Sequence, residues 1–369
     1  MRFTAPRTPF LHTLAAAGRA AVGRTGNLPI LSCVRLDADR RKVSVTGTDL
    51  DLTVTADLDC DVAEPGITAV PARLIADIVR AMSGDTVTVE RSDSSQVTVS
   101  DGRSRFQIRA SDPDGFPKLD TPSGDPHIVD APQFAAGLTQ VLFAASADDA
   151  RPILTGIYMV PGGSNGLTMV ATDSYRLAVR ELAVAGDVTG DDHKPVLVPA
   201  RSLTEVIRNL NDDPTLEVRT DDRLISFAFG STRITSRLIA GNFPAYHTLL
   251  RDSHPHQVTA DRAELIESAR RVKVMARDSV PARLTITAGH ITVSALAQDV
   301  GAATETIDAA GYHGDGCTIA FNIGYLIEAL DAAHGDTVTI RWVDALKPAF
   351  VSGDADHGYT HLLMPVRAV

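Results

Sequence analysis

The sequence predicts an α+β protein made of three copies of one domain, each with two helices packed on antiparallel sheet. Two observations carry this prediction. The first is a recurring helical segment. Residues 70–82 (VPARLIADIVRAM) return 128 positions later as 198–210 (VPARSLTEVIRNL), and a third version, 321–330 (FNIGYLIEAL), follows after a further 123. Ile75, Ile78, Val79 and Met82 fall at i, i+3, i+4 and i+7, the spacing of one buried helical face, and Leu203, Val206, Ile207 and Leu210 repeat it. The second observation is the strand after each helix. Thr86-Val87-Thr88-Val89, Thr215-Leu216-Glu217-Val218 and Thr337-Val338-Thr339-Ile340 each follow a turn and alternate polar with apolar residues.

The other elements repeat in the same order. Phe10, Leu14 and Ala17 predict a second helix that returns as Phe134, Leu138 and Val141, and again as Leu265, Ala269 and Val272. Strands are predicted after it at Pro29-Ile30-Leu31, Pro152-Ile153-Leu154 and Pro281-Ala282-Arg283-Leu284. Thr48-Asp49 recurs 124 residues on as Thr172-Asp173. Polar, proline-rich stretches at 121–126 and 252–255 mark the borders, so the expected domains are 1–125, 126–253 and 254–369.

Composition narrows the function. With 44% apolar and 22% charged residues, the 369-residue chain has the profile of a folded soluble protein. No run reaches the roughly 18 apolar residues of a membrane span, and the N-terminus lacks the basic-then-apolar order of a signal peptide. Cys33, Cys60 and Cys317 lie far apart without a CxxC pair, which fits a reducing cytoplasm and argues against a zinc site. The histidines show no ligand spacing, no GxSxG elbow is present, and Pro161–Gly166 reads as a hairpin turn rather than a phosphate loop. The expectation is a non-enzyme without cofactor or metal. The net charge of −11 is unusual for a nucleic-acid binder, yet phosphate binding needs only a local basic surface.

Seven segments carry a resemblance to a known family. They are Leu28-Pro29-Ile30-Leu31, the run 46–50 (TGTDL), Val70-Pro71-Ala72-Arg73, Ser104-Arg105-Phe106, the run 171–178 (ATDSYRLA), the run 241–246 (GNFPAY) and Met364-Pro365-Val366-Arg367. In this order over the whole chain they resemble the beta subunit of bacterial DNA polymerase III, the sliding clamp. The resemblance implies a homodimer closed head to tail into a pseudo-sixfold ring, each protomer supplying three clamp domains, with helices lining the hole. It implies topological, sequence-independent retention of duplex DNA. The implied partners are the polymerase III alpha subunit, the clamp loader and other proteins with a clamp-binding motif, with no membrane association.

The resemblance also implies sites. A peptide-binding pocket would draw on Leu154, Thr172, Ser174, Tyr175, Arg176 and Leu177, on Pro244 and Leu249, and on Leu346 and Pro348. The C-terminal segment Leu362, Leu363, Met364, Pro365, Val366 and Arg367 would complete it. DNA contacts would come from Arg24, Arg73, Arg80, Arg201 and Arg208, with Arg270 and Arg271 on the corresponding third-domain helix. The dimer interface would join Arg103, Arg105, Phe106 and Ile108 to Lys273, Val274 and Glu305. Thr248, Lys273, the acidic loop 147–151 and the C-terminal Ala368-Val369 depart from the family pattern. Three alternatives stand beside the housekeeping clamp: a divergent second clamp that resists a clamp-directed inhibitor, a monomeric peptide-binding adaptor, and an enzyme acting on a small metabolite.

Overall fold

Six helices form among the described residues, each where the apolar spacing places it: α1 (Arg7–Ala20), α2 (Ala72–Ala81), α3 (Ala131–Val141), α4 (Ala200–Asn209), α5 (Arg262–Lys273) and α6 (Ile323–Ala332). The computed structural model describes residues 1–21, 28–91, 95–162, 166–183, 194–210, 212–250, 253–276 and 280–367. The Val-Pro-Ala segments explain how α2 and α4 begin. Pro71 ends the strand Gly66–Pro71 and Pro199 ends Val196–Pro199, and a helix starts at the next residue in both. In α6 Asn322 stands at that point instead. Its side-chain oxygen accepts from the Gly324 and Tyr325 N–H groups at 2.9 and 3.2 Å, an N-cap in place of a proline.

One expectation is corrected. Pro29–Ser32 and Pro152–Leu154 are 3-10 turns, not strands; only the third counterpart, Ala282–Thr287, is extended. In each turn a proline occupies the first position with φ preset. The Leu31 N–H then donates to Leu28 O at 3.1 Å, and the Leu154 N–H to Arg151 O at 2.9 Å.

The strands form four antiparallel sheets. In spatial order the five-stranded sheet runs Asp61–Glu64, Arg2–Pro6, Thr86–Arg91, Gln96–Ser100 and Arg105–Arg109. The eight-stranded sheet runs His127–Asp130, Thr215–Thr220, Leu224–Phe229, Thr232–Arg237, Leu52–Asp59, Lys42–Thr48, Cys33–Asp39 and Gly66–Pro71. The nine-stranded sheet runs Val196–Pro199, Gly156–Gly162, Gly166–Thr172, Arg176–Ala183, Tyr359–Leu363, Ala349–Gly353, Thr337–Trp342, His256–Asp261 and Ala310–His313. The four-stranded sheet runs Gly301–Asp308, His290–Ala297, Ala282–Thr287 and Cys317–Phe321. Two of these cross repeat borders. Ile234 pairs with Val54 in the eight-stranded sheet, and Leu177 with Leu362 in the nine-stranded one.

By contact density the chain divides into two compact units. Among the described residues, one holds those within 1–132 and 201–238, the other those within 133–183, 194–200 and 239–367. In the first unit Phe3, Phe10, Leu14, Val34, Leu36, Ile75 and Val79 form a closed core. Helix α1 lies directly on the strand Lys42–Thr48 there, so close that a Cβ on Gly47 would meet the Ala17 carbonyl oxygen at 2.0 Å. In the second unit Leu265, Phe321, Leu326, Leu330 and Trp342 centre the core of the third repeat.

His361 is fully buried in the second unit. Its ring stacks on Phe143 with centroids 5.4 Å apart, and its Nδ1 lies 3.4 Å from the Tyr359 hydroxyl. Burial, and after it the positive charge of Arg176, push its pKa down to about 3. An unfolded histidine titrates near ~6.5, so between that value and 3 only the unfolded chain takes up the proton. Stability is therefore expected to fall on acidification below pH 6.5, by about 1.4 kcal/mol per pH unit once well below it. Urea midpoints of the wild type and His361→Phe between pH 7 and 5 check this, because the phenylalanine variant should lose that slope.

Candidate functional site

The recurring Thr-Asp pair folds the chain identically in two repeats. In the first, Thr48 Oγ1 accepts from the Leu50 N–H, and Asp49 Oδ1 accepts from the Asp51 and Leu52 N–H groups. In the central repeat Thr172 Oγ1 accepts from Ser174, and Asp173 Oδ1 accepts from Tyr175 and Arg176. Both turns force the middle residue into the left-handed region, at φ 82° for Leu50 and 81° for Ser174. The second carboxylate oxygen is used differently. That of Asp49 pairs with Arg201, whereas that of Asp173 accepts from Arg176 Nε at 3.1 Å.

In the second unit this turn forms one wall of a cavity of about 800 Å³. Thr172, Ser174 and Leu177 come from the turn and its strand, Ala150–Leu154 from the 3-10 turn and the loop before it, and Pro244–Tyr246 with Thr248 and Leu249 from a third segment. The floor is rigid. Leu177 and Tyr246 pack with Val170, Val179, Phe350 and Leu362, and Tyr158 stacks on Phe243 at 4.8 Å and 7° beside them. Burial pushes the Tyr246 phenol up. The walls are mostly apolar, and Leu249 leaves 45% of its surface exposed, an arrangement suited to an apolar guest.

Arg151 is the sole charged side chain among the described residues of the lining. Its Nε donates to Asp148 Oδ2 at 2.9 Å and its Nη1 to Ser174 Oγ at 3.3 Å. The Ala150 N–H and then Arg151 itself hold the Asp148 carboxyl below the usual carboxylate range.

Six of the sixteen residues expected in the pocket meet there: Leu154, Thr172, Ser174, Leu177, Pro244 and Leu249. Arg176 does not line it. Its side chain is buried in a nest of Asp173, Glu328, the Phe143 carbonyl and the Tyr325 ring, 4.2 Å away. Leu363 turns into the core of the third repeat, because adjacent strand residues point to opposite faces and Leu362 takes the cavity-floor side. Tyr175, Leu346, Met364, Val366 and Arg367 are exposed, and Pro348 and Pro365 are half-buried, outside the lining. The tail is nonetheless held. The Met364 N–H donates to Tyr175 O at 2.9 Å and the Val366 N–H to Ala320 O at 2.7 Å. Ala150, Arg151, Pro152, Ile153, Ala245 and Tyr246 also belong to the cavity; their signal in the sequence was position, in or just before the repeated Pro-Ile-Leu and within the 241–246 segment.

The arginines expected to meet DNA are mostly held by carboxylates. Arg80 pairs with Asp77 at 2.5 Å, Arg208 with Glu205 at 2.9 Å and Arg201 with Asp49. Arg73 reaches Asp77 only at 3.9 Å and is almost fully exposed. Arg270 and Arg271 pair with Glu267 and Glu305, each at 2.9 Å. Arg24 lies outside the described residues. Of the expected interface residues, Ile108 is buried in the core of the first unit, on the inner face opposite Val97. Phe106 is 39% exposed and Val274 70%, Glu305 is half-buried, and Arg103, Arg105 and Lys273 project into solvent.

Three copies of one α+β domain, joined through shared sheets, define a clamp-type subunit. Family models for the N-terminal, central and C-terminal domains of the DNA polymerase III beta subunit match residues 1–120, 129–245 and 248–367. The chain belongs to the DNA polymerase III beta subunit family. It is 28% identical over 379 aligned positions to the beta sliding clamp of Staphylococcus aureus, covering all of this chain and 99% of the relative. Two solved structures align over the full length of both chains: the Bacillus subtilis DNA polymerase sliding clamp, with TM-score 0.92 and 25% identity, and a Bartonella birtlesii sliding clamp bound to griselimycin, with TM-score 0.93 and 27% identity.

Proposed function

We propose that the chain is a non-catalytic DNA sliding clamp whose two protomers close head to tail around duplex DNA. It tethers the polymerase III alpha subunit, the clamp loader and other motif-bearing proteins through the cavity at Ser174 and Leu249, and it works in the cytoplasm. The observation that carries this reading is the pair of unfinished sheets. Each junction between repeats is closed by a long continuous sheet, but the five-stranded sheet ends at Arg105–Arg109 and the four-stranded sheet at Gly301–Asp308. Paired edge to edge between protomers, they would make nine strands, as many as the sheet already joining the central and third repeats. Arg103, Arg105 and Arg109 mark one edge, and Glu305 and Asp308 the other, so unlike charges would meet.

Charge supports the DNA role. The six helices carry ten Lys and Arg against six Asp and Glu, although the whole chain is at −11. A positive helical lining inside an acidic exterior suits a hole that takes DNA and an outer surface that rejects it. Domain borders at 1–125, 126–253 and 254–369 follow from the sequence repeat; the family matches at 1–120 and 129–245 fall within the first two, and the third, 248–367, begins six residues before the expected border at 254.

The test is retention on nicked circular DNA after incubation with a bacterial clamp loader and ATP, followed by linearisation. A ring stays on the circle and slides off the free ends. Equal retention on both forms would mean ordinary DNA binding, and a solution mass equal to one 39.2 kDa chain at micromolar concentration would remove the ring.

A further inference from the structure

We infer that carboxylates on the helices compete with DNA phosphates for the arginines of the hole, so that the ring holds its duplex loosely; the inference rests on the proposed clamp function. A pairing that recurs with the repeat carries it. On α2, Asp77 and Arg80 stand one turn apart and pair at 2.5 Å. Their counterparts 128 residues on, Glu205 and Arg208, form the same i, i+3 pair on α4 at 2.9 Å. A further 123 residues on, α6 holds Glu328 and Asp331 at those positions, and the arginine is gone. The cation there comes from α5: Arg270 reaches Asp331 at 3.1 Å and Glu267 of its own helix at 2.9 Å. All three copies set an arginine against a carboxylate, the third with different residues.

These pairs are poised to open. The side chains of Asp77, Arg80, Glu267, Arg270 and Asp331 keep 45–61% of their surface exposed, and exposed ion pairs are weak. A phosphate therefore takes the arginine at small cost, but the carboxylate left behind stays close and opposes the incoming negative charge. The lining then attracts DNA less than its arginine count implies, which suits a surface that must slide. Asp77 restrains two cations, since Arg73 lies 3.9 Å away with its side chain 97% exposed. Glu205 has a further duty. It is buried and also accepts from Arg19 Nε on α1 at 2.6 Å, so its removal would disturb the fold of the first unit.

The experiment titrates the full-length protein against a short fluorescein-labelled DNA duplex, read by anisotropy across a range of NaCl concentrations. Asp77→Asn and Glu267→Gln, both at exposed pairs, should each tighten binding at low salt by about fivefold, the size expected of an exposed ion pair. Each should also steepen the salt dependence, because no carboxylate remains to recapture a cation when the arginine meets a phosphate. Asp57→Asn is the control. It removes the same charge from the strand Leu52–Asp59, where Asp57 pairs with Lys42 at 2.6 Å, and should leave binding unchanged. Arg80→Gln should weaken binding. Equal tightening by Asp57→Asn would show that net charge alone acts, and overturns the competition. Unchanged affinity in Asp77→Asn and Glu267→Gln, while Arg80→Gln still weakens binding, overturns it too and leaves the clamp function standing. A wild type that binds no duplex at any salt, or arginine variants (Arg80→Gln, Arg270→Gln) that bind as well as the wild type, would overturn the helical lining and this inference together.

Discussion

Replacing Arg176 by methionine is expected to lower the unfolding free energy by about 3–5 kcal/mol, the usual consequence of removing one member of a buried ion pair. The guanidinium joins Asp173 to Glu328 on α6, donates to the Phe143 carbonyl and lies over the Tyr325 ring. Methionine fills comparable volume but leaves the buried Asp173 carboxylate without its cation. Lysine should rescue little, because a single ammonium cannot satisfy three acceptors in the planar geometry that the fork matches. The double variant Arg176→Met/Asp173→Asn should recover part of the loss, since the stranded charge is then gone. Urea denaturation followed by circular dichroism measures all three. A loss below about 1 kcal/mol in Arg176→Met would show that the nest is solvated and weak.

The second large effect concerns the sheet edge. Phe106 lies opposite Val99 on the inner face of the five-stranded sheet, at the margin where the core runs out. Aromatic residues are enriched at protein interfaces, so in the proposed dimer Phe106→Ala should raise the dissociation constant by roughly thirtyfold or more. Ile108, two residues along the same strand, is already enclosed by the core. Ile108→Ala should therefore lower the melting temperature yet leave dimerisation nearly unchanged. Sedimentation equilibrium with thermal melts separates the two, and the opposite pattern would move the interface away from this edge.

Much of the fold was legible in the sequence because it depends on local periodicity. The spacing of Phe10, Leu14 and Ala17, or of Leu265, Ala269 and Val272, is a property of neighbouring residues, and the helices formed there. The Pro-Ile-Leu segments misled because apolar residues in a short run say nothing of backbone pitch, while the leading proline favours a turn. The site was legible in part. The resemblance carried by the run 171–178 pointed to Ser174 and Leu177, but the fate of a long polar side chain is fixed by residues far away in sequence. Arg176 finds Glu328 152 residues on, and Arg201 finds Asp49 152 residues back. Sequence supplied the sign of those charges, and only the fold supplied their partners. Leu362 and Leu363 illustrate the same point at shorter range: strand alternation sends one to each face, and the identity of the faces is set by the neighbouring strand.

The shared sheets separate two kinds of unit that are often assumed to coincide. The unit that repeats is about 125 residues long, but the unit expected to open as one is larger, because Arg176–Ala183 of the central repeat has Tyr359–Leu363 of the third as its neighbour. Amide protons on those two strands should thus exchange through one common opening event, whichever repeat they belong to. The hydrogen bonds between those strands tie the third repeat to the second, so a change that loosens either strand is expected to loosen both.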